Sequence, residues 1–202
     1  MNAIFDVTGI VIETNRLILR EWNMNDVDDM FEYASVPGVG EMAGWLHHPN
    51  KEESEYRVKH FIEGKKTFAI VYKEKNKVIG SLGVELYGRE EALSEFFNYQ
   101  GRSIGFVLSK DYWGKGLMPE AVKAVINYLF DVLNYDFLLC SHFDYNLQSK
   151  RVQEKCGFKP YRHVISDTNY DTKEPSTLNL LINPHTDIKL VFSHPETLIY
   201  KD

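Results

Sequence analysis

The stretch Ser103-Ile104-Gly105-Phe106-Val107-Leu108-Ser109-Lys110-Asp111-Tyr112-Trp113-Gly114-Lys115-Gly116-Leu117-Met118-Pro119-Glu120-Ala121 decides the reading of this 202-residue chain. It runs as a strand, a glycine loop and a helix start in immediate succession. Residues 104–108 are apolar and strand-length, whereas residues 121–130 form a run too long and too alanine-containing for a strand. Gly114 and Gly116 carry no Cβ, so the backbone there can take positive φ and its amides can approach a ligand closely. Pro119 and Glu120 suit the first turn of a helix. Such a loop gathers unpaired N–H groups at a helix N-terminus, which suits an anion such as phosphate, though a plain turn has the same letters. Two phosphate motifs are absent. There is no Gly-x-x-x-x-Gly-Lys-Ser/Thr and no Gly-x-Gly-x-x-Gly after a strand, which argues against a nucleotide hydrolase or a dinucleotide enzyme.

Composition narrows the classes further. With 23 basic and 29 acidic residues the net charge is −6, which opposes a broad electrostatic footprint on nucleic acid or an anionic membrane. Neither is expected as a partner. Cys140 and Cys156 give no disulfide framework and no zinc spacing, so both are expected to be reduced and structural, and no metal is expected. No basic region with a long apolar run opens the chain and no stretch of about 18 apolar residues follows, so a cytoplasmic protein is the expectation. Without repeats or linkers, residues 1–202 are expected to form one domain, with a core over about residues 14–182. The extension 183–202 has no pattern that places it.

Outward from the opening stretch, residues 15–20 predict a strand, residues 25–33 a helix and residues 51–63 a second helix. Residues 67–73 and 77–87 predict a hairpin turning at Glu74-Lys75-Asn76, followed by a strand over 102–109. A strand over 136–142, a helix over 146–156 and strands over 158–165 and 177–182 complete the chain, the last two joined by a hairpin loop at 167–176. The fold class is therefore α/β (α+β), a mixed, mostly antiparallel sheet with helices on both faces. The irregular segment 36–50, with Trp45, His47 and His48, could wall a pocket. Together with loops 88–101 and 166–176 it would carry specificity.

These segments resemble the GNAT N-acetyltransferases, most closely the branch of ribosomal-protein serine/alanine N-terminal acetyltransferases. The resemblance rests on Thr14-Asn15-Arg16-Leu17-Ile18-Leu19-Arg20, Ile79-Gly80, the strand 104–108, Tyr112-Trp113-Gly114-Lys115-Gly116, and Asn146-x-x-Ser149 followed by Glu154-Lys155-Cys156-Gly157-Phe158. It implies a sheet splayed around acetyl-CoA as co-substrate, with the pantetheine along strand 102–109 and the pyrophosphate on amides of residues 113–118. It also implies direct attack by a primary amine in a ternary complex, the foremost acceptor being a protein or peptide N-terminal α-amine. A small-molecule amine (polyamine, aminoglycoside or amino acid) is the alternative, and a non-catalytic acyl-CoA-binding module is the rival of another class. Monomer and homodimer are both open. Two departures stand out: Leu117-Met118-Pro119 occupies a place where aromatic-alanine-threonine is frequent, and the tyrosine many GNAT enzymes place before the Lys-x-Gly-Phe ending is absent, with Val152 and Gln153 nearby.

Acetyl transfer needs a neutral amine, a polarised thioester carbonyl and a way to accommodate the departing thiolate. An α-amine with pKa of about 7.7–8 is partly neutral at physiological pH, whereas a lysine near 10.4 depends more on a base. Glu85 is the first base candidate. Strand alternation sets Ile79, Ser81, Gly83, Glu85 and Tyr87 on one face and Val78, Leu82, Val84 and Leu86 on the other. Trp45, His47 and Glu85 are the acceptor-binding candidates. A main-chain N–H of Val107 or Leu108 is expected to polarise the carbonyl. The resemblance carries cofactor binding onto Val107, Leu108, Trp113, Gly114, Lys115, Gly116, Leu117, Met118, Asn146 and Ser149, and makes Ser149 the proton donor. A bare hydroxyl is a poor acid, so relay or orientation of the thiolate suits it better. Asn146 reads equally as a helix cap and Lys115 as a solvent-facing lysine, and Tyr145 and Tyr112 are fallback donors. A covalent route through Cys156 lacks a His/Asn partner.

Overall fold

The computed structural model describes residues 1–88 and 96–188. Eight strands form one sheet: β1 (Ile12–Glu13), β2 (Leu17–Arg20), β3 (Thr67–Tyr72), β4 (Lys77–Glu85), β5 (Gly101–Leu108), β6 (Phe137–Phe143), β7 (Lys159–Asp167) and β8 (Lys173–Ile182). Their spatial order is β1-β2-β3-β4-β5-β6-β8-β7. Every pairing is antiparallel except β5 with β6. Four helices cover the faces: α1 (Val27–Ala34), α2 (Lys51–Gly64), α3 (Leu117–Asn127) and α4 (Leu147–Lys155). The mixed, mostly antiparallel architecture with helices on both faces is as expected.

Local chemistry sets the helix ends. Asn23 and Asp26 form a reciprocal capping box ahead of α1, and Asn50 accepts from the Glu53 amide at 3.0 Å to open α2. Helices α3 and α4 pack on one face of the sheet over a core that includes Leu17, Leu19, Phe68, Ile70, Leu82, Val84, Ile104, Val122 and Phe158. On the other face α1 and α2 cover Trp22, Met30, Tyr33, Val58, Ala69, Val71 and Val78. A third cluster of Tyr87, Phe96, Phe137, Leu139, Leu178 and Leu180 fills the β6–β8 end. No helix among the described residues is long and apolar enough to cross a membrane.

Two sequence expectations need correction. A bulge in the β3–β4 ladder pairs Ile70 with Gly80 but Val71 with Val78, leaving Ile79 as the extra residue. The slip reverses the alternation on one side of it. Ile79 therefore joins Leu82 and Val84 in the main core while Val78 lies with Val71 on the α1–α2 face. Only from Ser81 to Glu85 does the alternation run as read. The second correction is the last hairpin, whose ladder continues to Asp167 opposite Lys173. Its loop shrinks to residues 168–172, closed by the Thr168 amide on the Thr172 carbonyl at 2.9 Å and turned at Asp171 with φ 61°. Most of the extension, residues 189–202, lies outside the described residues, as do residues 89–95 of the loop 88–101. What is described of its start is tied down, with the Asn183 amide donating to the Asp136 carbonyl at 2.8 Å.

The feature that positions everything below is a split in the sheet. β5 and β6 pair only over Gly101–Ser103 against Phe137–Leu139. Beyond Ser103, β5 stays on β4 through Leu108 and β6 stays on β8 through Phe143. A wedge opens between them.

Candidate active site

The wedge holds a cavity of about 1140 Å³ lined by residues 103–108 on one wall and 140–143 on the other, with the glycine loop and α4 at one end. Main-chain direction along β5 follows from one bond: the Ser109 amide donates to the Ile79 carbonyl at 2.8 Å. Alternation then turns the N–H groups of Val107, Gly105 and Ser103 to β4, and those of Leu108 and Phe106 to the opening, while that of Ile104 still faces β6 at the last Ser103–Leu139 bridge. Of the two amides expected to polarise a carbonyl, the one on Leu108 faces the wedge and the one on Val107 belongs to the ladder. Leu108's own carbonyl is taken by Trp113 Nε1 at 2.8 Å.

The glycine loop has the conformation its letters required. Gly114 and Gly116 have φ of 75° and 73°, a left-handed region costing other residues about 1–2 kcal/mol. α3 begins immediately after, with Leu117 and Met118 contributing N–H groups that have no intrahelical acceptor. A clamp from the far end of the sheet holds this loop. Glu120 accepts from Thr14 Oγ1 at 2.6 Å, from the Arg16 amide at 3.0 Å and from Arg16 Nε at 2.7 Å, while Arg16 Nη1 donates to the Lys115 carbonyl at 3.0 Å. Burial alone would raise the Glu120 carboxyl, but these hydrogen bonds and the guanidinium charge outweigh it and hold the group below its ordinary value. Trp113, Gly114, Gly116, Leu117 and Met118 line the cavity. Lys115 does not, its ammonium lying 5.1 Å from the Tyr112 ring centre. Tyr112 does line it.

Across the opening, Asn146 caps α4 by accepting from the Ser149 amide at 3.0 Å and donates to the Met42 carbonyl at 2.9 Å. Asn146, Ser149, Arg151, Val152 and Lys155 all line the cavity. The Ser149 hydroxyl oxygen accepts from Gln153 Nε2 at 3.1 Å. Cys140 lies in the wall, and burial pushes its thiol far above the ordinary range. Burial likewise pushes Cys156 up to about 11, which removes the thiolate a covalent route needs.

Beyond β5 the cavity is roofed by Val39 and Met42–Gly44 and floored by Glu85, Ser103, Gly105 and Val107. Glu85 is ion-paired with Lys66 at 2.5 Å. The roof is a strap around the 3-10 turn Glu41–Ala43, bonded at both ends: Met42 O to Asn146, and Gly44 O to the Asn169 amide at 2.7 Å. Its centre is the Glu41 carboxylate, which accepts from the Gly38 amide at 2.6 Å and from the His47 amide and Nδ1 at 3.2 and 2.8 Å. Burial would raise Glu41, yet these bonds bring it down to about 2.

The structure therefore brings Glu85, Ser149, Asn146, Leu108, Val107 and the glycine loop to one cavity, and sets Trp45 and His47 behind its roof. Trp45 packs on His48 at 5.1 Å between ring centres, and His48 is buried with Nδ1 2.7 Å from Ser54 Oγ. Tyr145 is also off the cavity. It stacks near Phe143, and burial with Tyr170 and Glu174 nearby pushes its hydroxyl up to about 12. Sequence reading missed His142, a buried residue of the wall, and the Gln153–Asn179 amide pair behind Ser149. The signal available for the pair was Asn179 standing alone among Leu178, Leu180, Leu181 and Ile182 in the apolar half of β8.

Comparison with known proteins agrees with this geometry. The model of the acetyltransferase (GNAT) domain matches residues 16–159. An uncharacterized N-acetyltransferase of Bacillus licheniformis, p20, is 30% identical over 126 residues, 60% of this chain and 66% of that protein. The crystal structure of a ribosomal-protein-S5-alanine acetyltransferase from Vibrio fischeri superposes with a TM-score of 0.68 at 21% identity, over 87% of this chain and 98% of that one. That of the microcin C7 self-immunity acetyltransferase MccE, in complex with acetyl-CoA and AMP, gives 0.67 at 13% identity over 84% and 93%. The split sheet, the glycine loop before α3 and the family match together make this chain a member of the GNAT acetyltransferase family, and an acyltransferase.

Proposed function

We propose that the protein transfers acetyl from acetyl-CoA to a primary amine by direct attack, with the N-terminal α-amine of a protein or peptide as acceptor. The observation that carries this reading is the wedge: a main-chain N–H freed from the sheet at Leu108, facing a cavity with the glycine loop and the unspent amides of the α3 N-terminus at one end and Glu85 on the floor at the other. Acetyl-CoA, when bound, supplies an activated acetyl group whose C–S bond is exchanged for C–N. The residues present fit it. Gly114 has open space where a Cβ would stand, the amides of Leu117 and Met118 are unspent, and Arg151 and Lys155 add positive charge along the same wall. In this reading the Leu108 N–H stabilises charge developing on the acetyl oxygen. Glu85 takes the proton that the attacking nitrogen sheds, directly or through water. Ser149 stands at the start of α4, where the sulfur departs.

The acceptor assignment is supported by the roof. The strap over residues 38–44 is pinned to α4 and to the β7–β8 loop, and a covered acceptor side suits a slender chain end better than a folded surface. A small-molecule amine is the alternative acceptor. The test is thiol release from acetyl-CoA in the presence of peptides with N-terminal Ser or Ala, the same peptides with blocked N-termini and an internal lysine, polyamines and aminoglycosides. Release with the free N-terminal peptides alone supports the reading; release with polyamines or aminoglycosides alone replaces it with the small-molecule one. Saturable acetyl-CoA binding without release by any acceptor would favour a binding module.

A further inference from the structure

We infer that Gln153 is a positioning residue that fixes the Ser149 hydroxyl as a hydrogen-bond donor toward the cavity; the inference rests on the acyl-transfer reading above. Gln153 is 1% exposed, and both ends of its side-chain amide are engaged. Its Nε2 donates to the Ser141 carbonyl at 3.1 Å and to Ser149 Oγ at 3.1 Å, and its Oε1 accepts from Asn179 Nδ2 at 2.8 Å. The orientation of this amide is dictated, because a main-chain carbonyl can only accept. Ser141 O therefore requires the NH₂ end of Gln153. Asn179 is fixed in the same way, since its Nδ2 reaches the carbonyls of Thr177 at 3.3 Å and Cys140 at 3.5 Å. Two obligate acceptors thus leave Gln153 with an N–H to aim at Ser149, and Ser149 with no choice but to accept.

The consequence falls on the other side of the hydroxyl. Among the described residues Ser149 Oγ has no other partner, and Ser149 lines the cavity. A hydroxyl whose lone pair is engaged by a buried N–H presents its hydrogen to whatever acceptor lies ahead of it, and hydrogen bonds in such a chain reinforce each other. In the transfer, nitrogen forms the C–N bond, the C–S bond breaks with its electron pair going to sulfur, and the proton shed by nitrogen leaves through Glu85 or water. Ser149 donates a hydrogen bond to the thiolate and keeps its proton, since a serine hydroxyl is a far weaker acid than a thiol with pKa of about 8.5.

The test needs no acceptor. Calorimetry would compare binding of coenzyme A with that of its desulfo analogue, which lacks the thiol, as pH rises through 8.5. The ratio of the two affinities cancels the titration of protein groups that do not feel the sulfur, and any of Glu85, His142, Asp167, Tyr112, Arg151 and Lys155 in the same cavity that does feel it would leave its share of the growth in Ser149→Ala. For the wild-type protein the preference for coenzyme A should grow about tenfold across that range, because the bound thiolate is stabilised by a charge-assisted bond. That growth should disappear in Ser149→Ala and in Gln153→Met, and the double variant should lose nothing more. Gln153→Glu, which presents an acceptor where the amide presents a donor, should behave like Gln153→Met and serves if the latter fails to fold. Full growth retained in the Gln153 variants, or losses that add in the double variant, would overturn the proposal. A flat ratio in the wild type would also overturn it while leaving thiol release to judge the acyl-transfer reading; no coenzyme A binding at all would remove both.

Discussion

The two ends of the cavity are built differently. The loop end presents main chain from consecutive residues, with Gly114, Gly116 and the first turn of α3 set by letters that stand side by side and braced from outside by the Arg16–Glu120 clamp. The acceptor end is made of side chains that reach across the fold. Asn146 on α4 holds Met42, Asn169 beyond β7 holds Gly44, and Glu41 gathers Gly38 and His47. A main-chain site tolerates little change in φ but much in neighbouring side chains. A side-chain scaffold should lose function in increments, one tie at a time.

The largest effect is therefore expected in the loop. Gly116→Val places a β-branched residue at φ 73°, where strain is unavoidable even though the nearest atom to an added Cβ is Arg16 Nη2 at 3.8 Å. Relief of that strain would swing the amides of residues 116–118 away from their common focus. Acetyl-CoA affinity measured by calorimetry should fall about 100-fold, or about 2.7 kcal/mol, with the melting temperature shifted by only a few degrees. Unchanged affinity would mean the loop amides do not hold the ligand.

Gly105→Val is the matching change on the floor. Gly105 sits in β5 with nothing within 4 Å of an added Cβ, and valine suits a strand better than glycine does. The fold should gain slightly if anything. The new side chain enters the cavity between Glu85 and Val107, so kcat/KM for the acceptor should fall about tenfold while acetyl-CoA binding stays within about twofold. A loss of acetyl-CoA binding instead would place the acceptor path elsewhere.

This contrast also explains what was legible in the sequence. Strands β2 to β5, the glycine loop and helices α1 to α4 follow from local patterns, and Gly114, Gly116, Ser149 and Glu85 fall where the letters put them. The face of Ile79 was not readable, because a bulge depends on how β3 and β4 meet rather than on either strand alone. Trp45 and His47 looked like pocket residues because aromatic and imidazole side chains cluster in an irregular segment. Their placement behind the roof follows from the Glu41 carboxylate, which takes the His47 ring, and from His48, which packs on Trp45 and is itself held by Ser54; nothing in the residue types shows which way the segment turns them. Gln153 and Asn179 are 26 residues apart in sequence and meet only across α4 and β8.

Cutting one tie of the roof should cost less than either glycine change. Asn146→Ala removes the α4 cap and the bond to Met42 O together. The cap contributes about 1 kcal/mol, and for a chain of this size that corresponds to a fall of about 2–4 °C in melting temperature. With the strap released at one end, KM for the acceptor should rise about threefold with kcat little changed. A larger fall in kcat would show that Asn146 touches the reacting groups rather than the roof.

The smallest effect, and the one that isolates the roof from the rest, is in the acid limb of stability. Glu41 is held down to about 2 in the folded chain by the amides of Gly38 and His47 and by the His47 ring, against about 4.5 in its ordinary state. A depressed carboxyl stabilises the fold fully above its unfolded value and loses that contribution as pH falls toward the folded one. The window for Glu41 is thus from about pH 4.5 down to about pH 2. Glu41→Gln cannot titrate, so its melting temperature should lie below that of the wild type at pH 6 and the difference should shrink steadily through that window. Other carboxylates, Glu120 among them, contribute acid limbs of their own, but these are common to both proteins and cancel in the difference. A difference that stays constant from pH 6 to pH 2 would mean that Glu41 supports the strap through its shape and hydrogen-bonding capacity alone, and that the charge at the centre of the roof is immaterial to holding it closed.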